Sequence, residues 1–137
     1  MSSNAVVDFG EERELEVLSE IAIKTKKIDW KPAIILSAAY LEKVGILRMA
    51  EILKNRKTKF GKKLDNCSLN EVSLFLYALH QISDKEHTQI NQIQKERNRI
   101  VHPRGAKISV YFGEKADKKY GKMVENAIRI ISSLKSD

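Results

Sequence analysis

Arg97-Asn98-Arg99-Ile100-Val101-His102-Pro103 sets an arginine and a histidine five positions apart where a helix must stop. Guanidinium presents a planar fork of donors suited to phosphate oxygens, imidazole moves protons near neutral pH, and a carboxamide can orient either group. Arg97, Asn98 and His102 together suit cleavage of a phosphodiester by a neighbouring 2′-hydroxyl. The arginine would stabilise the charged pentacoordinate phosphorus and the histidine would act as general base or acid. Such a site requires no metal and no cofactor. Spacing leaves a plainer alternative open: an arginine on an apolar stripe can reach the surface or pair with a carboxylate such as Glu42, and a histidine before proline can serve only as a helix end.

The elements that must position this trio are legible from periodicity. Ile90, Ile93, Ile100 and Val101 recur at helical spacing, and Arg97 falls in the stripe where another apolar residue is expected. Pro103 disfavours helical backbone at His102, so the helix is expected to end at about Val101. On a continuing helix Arg97 and His102 would lie roughly 140° apart, given about 3.6 residues per turn. Unwinding at the end relaxes that separation, and Asn98, four residues before His102, is its same-face neighbour.

Upstream, a first helix is expected from about Asp8 to Lys26, with Leu15, Leu18, Ile21 and Ala22 on one face. A second begins at Pro32, which suits a first helical turn, and runs to about Asn55. It is apolar nearly all round, so it is either central in its bundle or covered by a second subunit, the latter being the expectation for a domain this small. Gly45 within it marks close packing or is simply tolerated. Ser68 and Glu71 form a capping-box pattern that opens a third helix reaching about Ile82, with Val72, Phe75, Leu76 and Leu79 inward. Asp84 is expected to cap the helix that carries Arg97. Residues 103–115 are expected to be irregular, with Ile108 to Phe112 as a short extended piece. A final helix from about Ala116 repeats Tyr120, Met123, Val124, Ala127, Ile128, Ile131 and Leu134 with a clean period. The fold class that follows is all-α, a four- to five-helix bundle, with residues 1–137 as a single domain.

Composition narrows the chemistry. The net charge of +7 points to an anionic partner, and the charge is segregated: six acids fall in the first twenty residues. Lys54, Arg56, Lys57, Lys59, Lys62 and Lys63 form a run without acids, and Lys95 to Lys107 holds Arg97, Arg99, Arg104 and two lysines against Glu96 alone. Lys54, Arg56, Lys57, Lys59, Lys62, Lys63, Arg99, Arg104 and Lys107 are the candidate RNA contacts, solvated loop faces being the other reading of such runs. The lone Cys67 allows no disulfide within the chain, which favours a reducing cytoplasm. No secretory signal precedes the acidic stretch, and the most apolar window, about Ala33 to Leu53, contains Glu42, Lys43, Arg48 and Glu51, so no membrane span is expected. His80 is expected to pack among apolar neighbours and His87 to lie on the surface. With Cys67 they make no metal-ligand spacing, and Cys67 lacks a placed base to make it a nucleophile. No glycine-rich phosphate loop occurs. Trp30, Tyr111 and Phe112 could stack bases, packing being the expected role of each.

The Arg97-Asn98-(three residues)-His102 pattern at the end of a late helix resembles the signature of HEPN domains, small all-α domains of prokaryotic toxins, antiviral systems and RNA-processing factors. That signature is an arginine, four to six intervening residues and a histidine, with a polar residue commonly following the arginine. The resemblance implies metal-independent ribonuclease activity from a homodimer in which two copies of the motif form one composite site. By position, Arg97 would hold the scissile phosphate, Asn98 would support the geometry and His102 would carry the proton. The sharp likeness covers about six residues and the rest only helix order. Toxins paired with nucleotidyltransferase antitoxins often carry tyrosine two positions after the histidine, where this chain has Arg104. An antitoxin or other protein partner is compatible with the family, and some of its members are catalytically silent modules that bind RNA, nucleotides or proteins.

Overall fold

A computed structural model of the chain describes residues 29–53, 66–102 and 111–135. Among them are four helices and no strand: α1 (Lys31–Ile52), α2 (Leu69–Ala78), α3 (Asp84–Val101) and α4 (Glu114–Lys135). The all-α expectation holds. The expected helix over residues 8–26, the basic run at 54–63 and the segment 103–110 lie outside the described residues.

α1 is the centre of the assembly. It packs against α2, α3 and α4, while α3 also packs against both α2 and α4. Its near-continuous apolar character follows from that position, since Ala33, Ile34, Ala38, Leu41, Val44 and Met49 are all buried. Ile35, Leu47 and Ile52 of α1 remain exposed. Pro32 stands in its first turn and Asp29 Oδ1 accepts the Lys31 N–H at 3.1 Å. Trp30, fully buried, joins the start of α1 to the start of α4: its backbone N–H donates to Tyr111 O at 2.9 Å and its indole Nε1–H donates to Asp117 Oδ1 at 2.8 Å. An indole fills core volume and satisfies its one polar atom on a partner, as burial requires. On the same end Gly113 takes φ +105°, open to glycine and strained for other residues, and Asp117 N–H returns to Gly113 O at 2.8 Å to begin α4 two residues before the expected start.

α2 begins as expected. Ser68 Oγ accepts from Glu71 N–H at 3.3 Å and Glu71 Oε1 accepts from Ser68 N–H at 3.0 Å, a complete capping box. Its inward face differs from the expected one. Leu69, Val72, Ser73 and Leu76 are buried, whereas Phe75 is 50% exposed and Leu79 is exposed. A hydroxyl can occupy the core stripe here because Ser73 Oγ lies 2.7 Å from His87 Nδ1 on α3. The helix also ends at Ala78 rather than Ile82. His80 adopts φ 59°, its N–H bonds Tyr77 O at 3.1 Å and Gln81 N–H bonds Leu76 O at 2.8 Å, the crossed pair that closes a helix with a left-handed residue. His80 is therefore an exposed terminating residue and not a packing one.

α3 is capped by Ser83, one residue before the expected Asp84. Ser83 Oγ accepts Glu86 N–H at 3.1 Å and Glu86 Oε1 accepts Ser83 N–H at 2.8 Å, leaving Asp84 as an acidic residue in the first turn. α4 buries Tyr120, Val124, Ala127, Ile131 and Leu134 as its period predicts, and adds Ala116 and Ile130.

Gly45 lets α1 approach α2 closely. A Cβ there would fall inside contact distance of Val72 Cγ1 and 3.3 Å from Leu76 Cδ1. Val72 is β-branched and stiff at χ1 in a helix, so it cannot swing away cheaply. Gly45→Ala is expected to destabilise the fold by about 1–2 kcal/mol, overpacking outweighing a gain of up to about 1 kcal/mol in helix propensity. Thermal melting should show the loss, with recovery in Gly45→Ala/Val72→Ala. At the other end of α2, His80→Gly should stabilise the fold by about 0.5–1 kcal/mol, read as a higher denaturant midpoint, because glycine meets no Cβ penalty at positive φ.

Candidate functional site

The last two turns of α3 carry the candidate trio. The helix stops at His102, whose backbone leaves helical geometry (φ −124°, ψ 71°) while its N–H still bonds Asn98 O at 2.8 Å. Asn98 and His102 are both exposed, one turn apart, on the solvent side of α3. Arg97 points elsewhere. Its Nη1 lies 4.0 Å from Glu42 Oε2 on α1, both side chains half-buried. The structure thus joins Asn98 with His102, and Arg97 with Glu42.

The inward position of this turn belongs to Glu96 and not to Arg97, a correction to the expected stripe. Gln89, Ile90, Ile93, Gln94 and Glu96 are buried on α3, Ile100 is half-buried and Val101 is exposed. Glu96 is only 3% exposed. A buried carboxylate is costly unless its oxygens are bonded, and here both are. Oε1 accepts the hydroxyl of Tyr111 at 2.7 Å and that of Tyr120 at 3.2 Å, while Oε2 lies 3.2 Å from Arg99 Nη1. The two phenol rings stack with centroids 5.0 Å apart. Burial, first, and then the Glu96 charge push the Tyr120 phenol up to about 12, because a phenolate beside a carboxylate in a dry site is doubly disfavoured; the Arg99 charge acts in the opposite direction.

Sequence reasoning missed Glu96 because helical spacing alone cannot separate neighbouring positions 96 and 97 at the edge of a stripe. The available signal was that Glu96 is the one acid in the basic stretch from Lys95 to Lys107. Of the candidate RNA contacts, Arg99 is described and its side chain is 54% exposed. Lys54, Arg56, Lys57, Lys59, Lys62, Lys63, Arg104 and Lys107 lie outside the described residues.

A second polar cluster bridges α2 and α3. His87, expected on the surface, is half-buried: Nδ1 faces Ser73 Oγ at 2.7 Å, Nε2 faces Asn91 Nδ2 at 3.4 Å, and its ring stacks on Tyr77 at 5.0 Å. An amide nitrogen only donates, so the tautomer that fits both contacts has Nε2 accepting and Nδ1–H donating to Ser73. That tautomer takes no proton from the serine, and Ser73 is fully buried, so the pair is a structural joint. The Tyr77 phenol is raised above its usual range mainly by its hydrogen bond to Asp84. Cys67 is pushed up by burial and by the charges of Glu71 and Glu42, the wrong direction for a nucleophile. Trp30 and Tyr111 are core residues, whereas Phe112 is 65% exposed. Among the described residues no cluster of His, Cys, Asp or Glu could hold a metal ion, and no helix is long and apolar enough to cross a membrane.

No protein-family model matches the chain, and neither does a curated protein or a solved structure. The functional reading therefore rests on the residues themselves. Chemically, the end of α3 presents an exposed imidazole and carboxamide, an exposed guanidinium held by a buried carboxylate, and a second guanidinium in a loose ion pair.

The raised Tyr120 phenol has a consequence at high pH. Its proton is held more tightly in the folded than in the unfolded chain, so its contribution to stability is intact below pH 10 and is lost as pH rises from 10 towards about 12. Denaturant titrations across that window should show falling stability, and Tyr120→Phe should flatten the decline. Phenolate absorbance should show a late titration that Tyr120→Phe removes.

Proposed function

We propose that this chain is a metal-independent endoribonuclease of the HEPN type, cutting single-stranded or loop RNA. The observation that carries the reading is the placement of His102 with Asn98 at the exposed end of α3, where an RNA strand can reach the imidazole. The 2′-oxygen bonds to phosphorus as the bond to the 5′-oxygen breaks, giving a 2′,3′-cyclic phosphate and a 5′-hydroxyl. His102 accepts the 2′-hydroxyl proton or delivers one to the leaving oxygen, and Arg97 neutralises charge on the phosphorane. The Arg97–Glu42 pair is at the outer limit of an ion pair and partly exposed, so it contributes little and can yield to a phosphate.

A homodimer completes the reading. Arg97 and His102 point to different sides of one helix end, and two copies supply four such side chains to a shared site. Ile35, exposed on α1 two turns before Glu42 and on the same side of the helix, supports self-association there. Service as a toxin, antiviral effector or RNA-processing factor, with or without an antitoxin, would follow from the same activity.

The Arg97–Glu42 contact also favours a second reading, a catalytically silent module in which the arginine braces α3 on α1 and the basic surface holds RNA, a nucleotide or a protein. The two are separated by incubating labelled RNA with the protein in EDTA and analysing fragment ends. Wild type should yield cyclic-phosphate ends, and His102→Ala should cut about 10²–10⁴-fold more slowly with its fold intact. Arg97→Ala should lose activity similarly and bind RNA more weakly. Salt-dependent binding without turnover would instead establish the silent module, and equal activity in either variant would remove that residue from the chemistry.

A further inference from the structure

Three cations from three helices each contact a member of the Glu96–Tyr111–Tyr120 cluster. Arg99 Nη1 lies 3.2 Å from Glu96 Oε2. Lys31 Nζ sits 5.6 Å from the centroid of the Tyr111 ring, and Lys119 Nζ sits 5.2 Å from that of Tyr120. Both phenols are bonded to Glu96, so each cation is one residue removed from the same buried carboxylate. All three are exposed, and Arg99 lies one turn before His102. Cation–π contact and the ion pair restrict side chains that would otherwise sample many rotamers. Glu96 is one buried negative charge touched, directly or through a phenol, by three exposed cations, of which Arg99 stands one turn from the imidazole.

We infer that Arg99, Lys31 and Lys119 form a phosphate-binding surface that guides a single-stranded RNA backbone to His102, with Glu96 as the positioning residue behind Arg99. The inference deepens the ribonuclease reading and rests on it for the direction of the strand. Neither lysine belongs to the basic runs conspicuous in the sequence. They are brought to Arg99 by the packing of the N-terminal turns of α1 and α4 against the C-terminal turns of α3. A strand laid across them would have its phosphates neutralised beside the residue that moves the proton, which places the binding energy next to the chemistry.

The test uses the full chain and a labelled RNA single strand, 2′-O-methylated throughout so that it binds without being cut, with affinity measured over a range of salt. Lys31→Ala and Lys119→Ala are surface changes that leave the Glu96 cluster in place. Each should weaken binding roughly three- to tenfold and lower the slope of log affinity against log salt by about 0.7, the value for one lost phosphate contact on a single strand. Lys85→Ala removes the same charge roughly 21 Å from Arg99 along α3 and should leave both quantities near wild type. Glu96→Gln keeps an acceptor for the phenols but frees Arg99. It should weaken binding although it removes a negative charge, and it should add nothing in an Arg99→Ala background. Tighter binding in Glu96→Gln would overturn the positioning role, since that is what mere charge neutralisation predicts. Equal effects of Lys31→Ala, Lys119→Ala and Lys85→Ala, or no effect of the first two, would overturn the surface. Cleavage of unmodified RNA is followed in parallel. A protein that binds as expected but does not cut would remove the ribonuclease reading and keep the surface; one that cuts normally in both lysine variants would do the reverse, and one that neither binds nor cuts would remove both.

Discussion

The carboxylate of Glu96 is the constraint on which the end of α3 depends. It is removed from water with its charge, and it is tolerated because two phenols and a guanidinium reach its oxygens from the segment before α4, from α4 itself and from the next turn of α3. Losing any one donor would leave a buried charge short of partners, a costlier condition than never having buried it. The network therefore fixes the rotation of α3 about its axis. Every side chain near the helix end takes its direction from that rotation.

With Glu96 inward, Arg97 is turned towards α1 and finds Glu42, while Asn98, Arg99 and His102 are turned to solvent. Although His102 has left helical geometry, Arg97 and His102 still point to different sides of this helix end, near the roughly 140° offset of a continuous helix. A single copy of the chain therefore divides the functional groups between an edge that meets α1 and a face that meets solvent. The proposed site shared by two copies would remove that conflict. Arg99 stands on the solvent face with its guanidinium restrained by Glu96 and is more exposed than Arg97.

The remaining polar contacts hold the scaffold to which this end is attached. Trp30 ties the starts of α1 and α4 together, Ser73 and His87 join α2 to α3, and Arg129 of α4 bonds Asn126 Oδ1 at 2.9 Å and reaches Gln89 Oε1 on α3 at 3.5 Å. Between these joints the contact surfaces are apolar, and Gly45 lets α1 and α2 approach without a side chain between them. α1 consequently touches each of the other three described helices, which accounts for its apolar surface without recourse to a partner, while Ile35 and Leu47 still face outward.

Much of this was determined by sequence alone. Local rules were sufficient for the helices themselves: the Ser68–Glu71 capping box, the end of α3 before Pro103, the periodic face of α4 and the all-α class each depend on neighbours within a turn or two, where spacing and chemistry are legible. The rest was decided by tertiary contacts between distant residues. Whether Glu96 or Arg97 points inward depended on phenols from Tyr111 and Tyr120, and whether Ser73 or Phe75 faced the core depended on His87. The end of α2 is local but was not legible from spacing: His80 takes a left-handed conformation, which few residues other than glycine adopt and which no glycine or asparagine signalled. Periodicity assigns a residue to a stripe by its hydrophobicity; only the structure supplies the partner that lets a charged or hydroxylic side chain take an apolar residue's place.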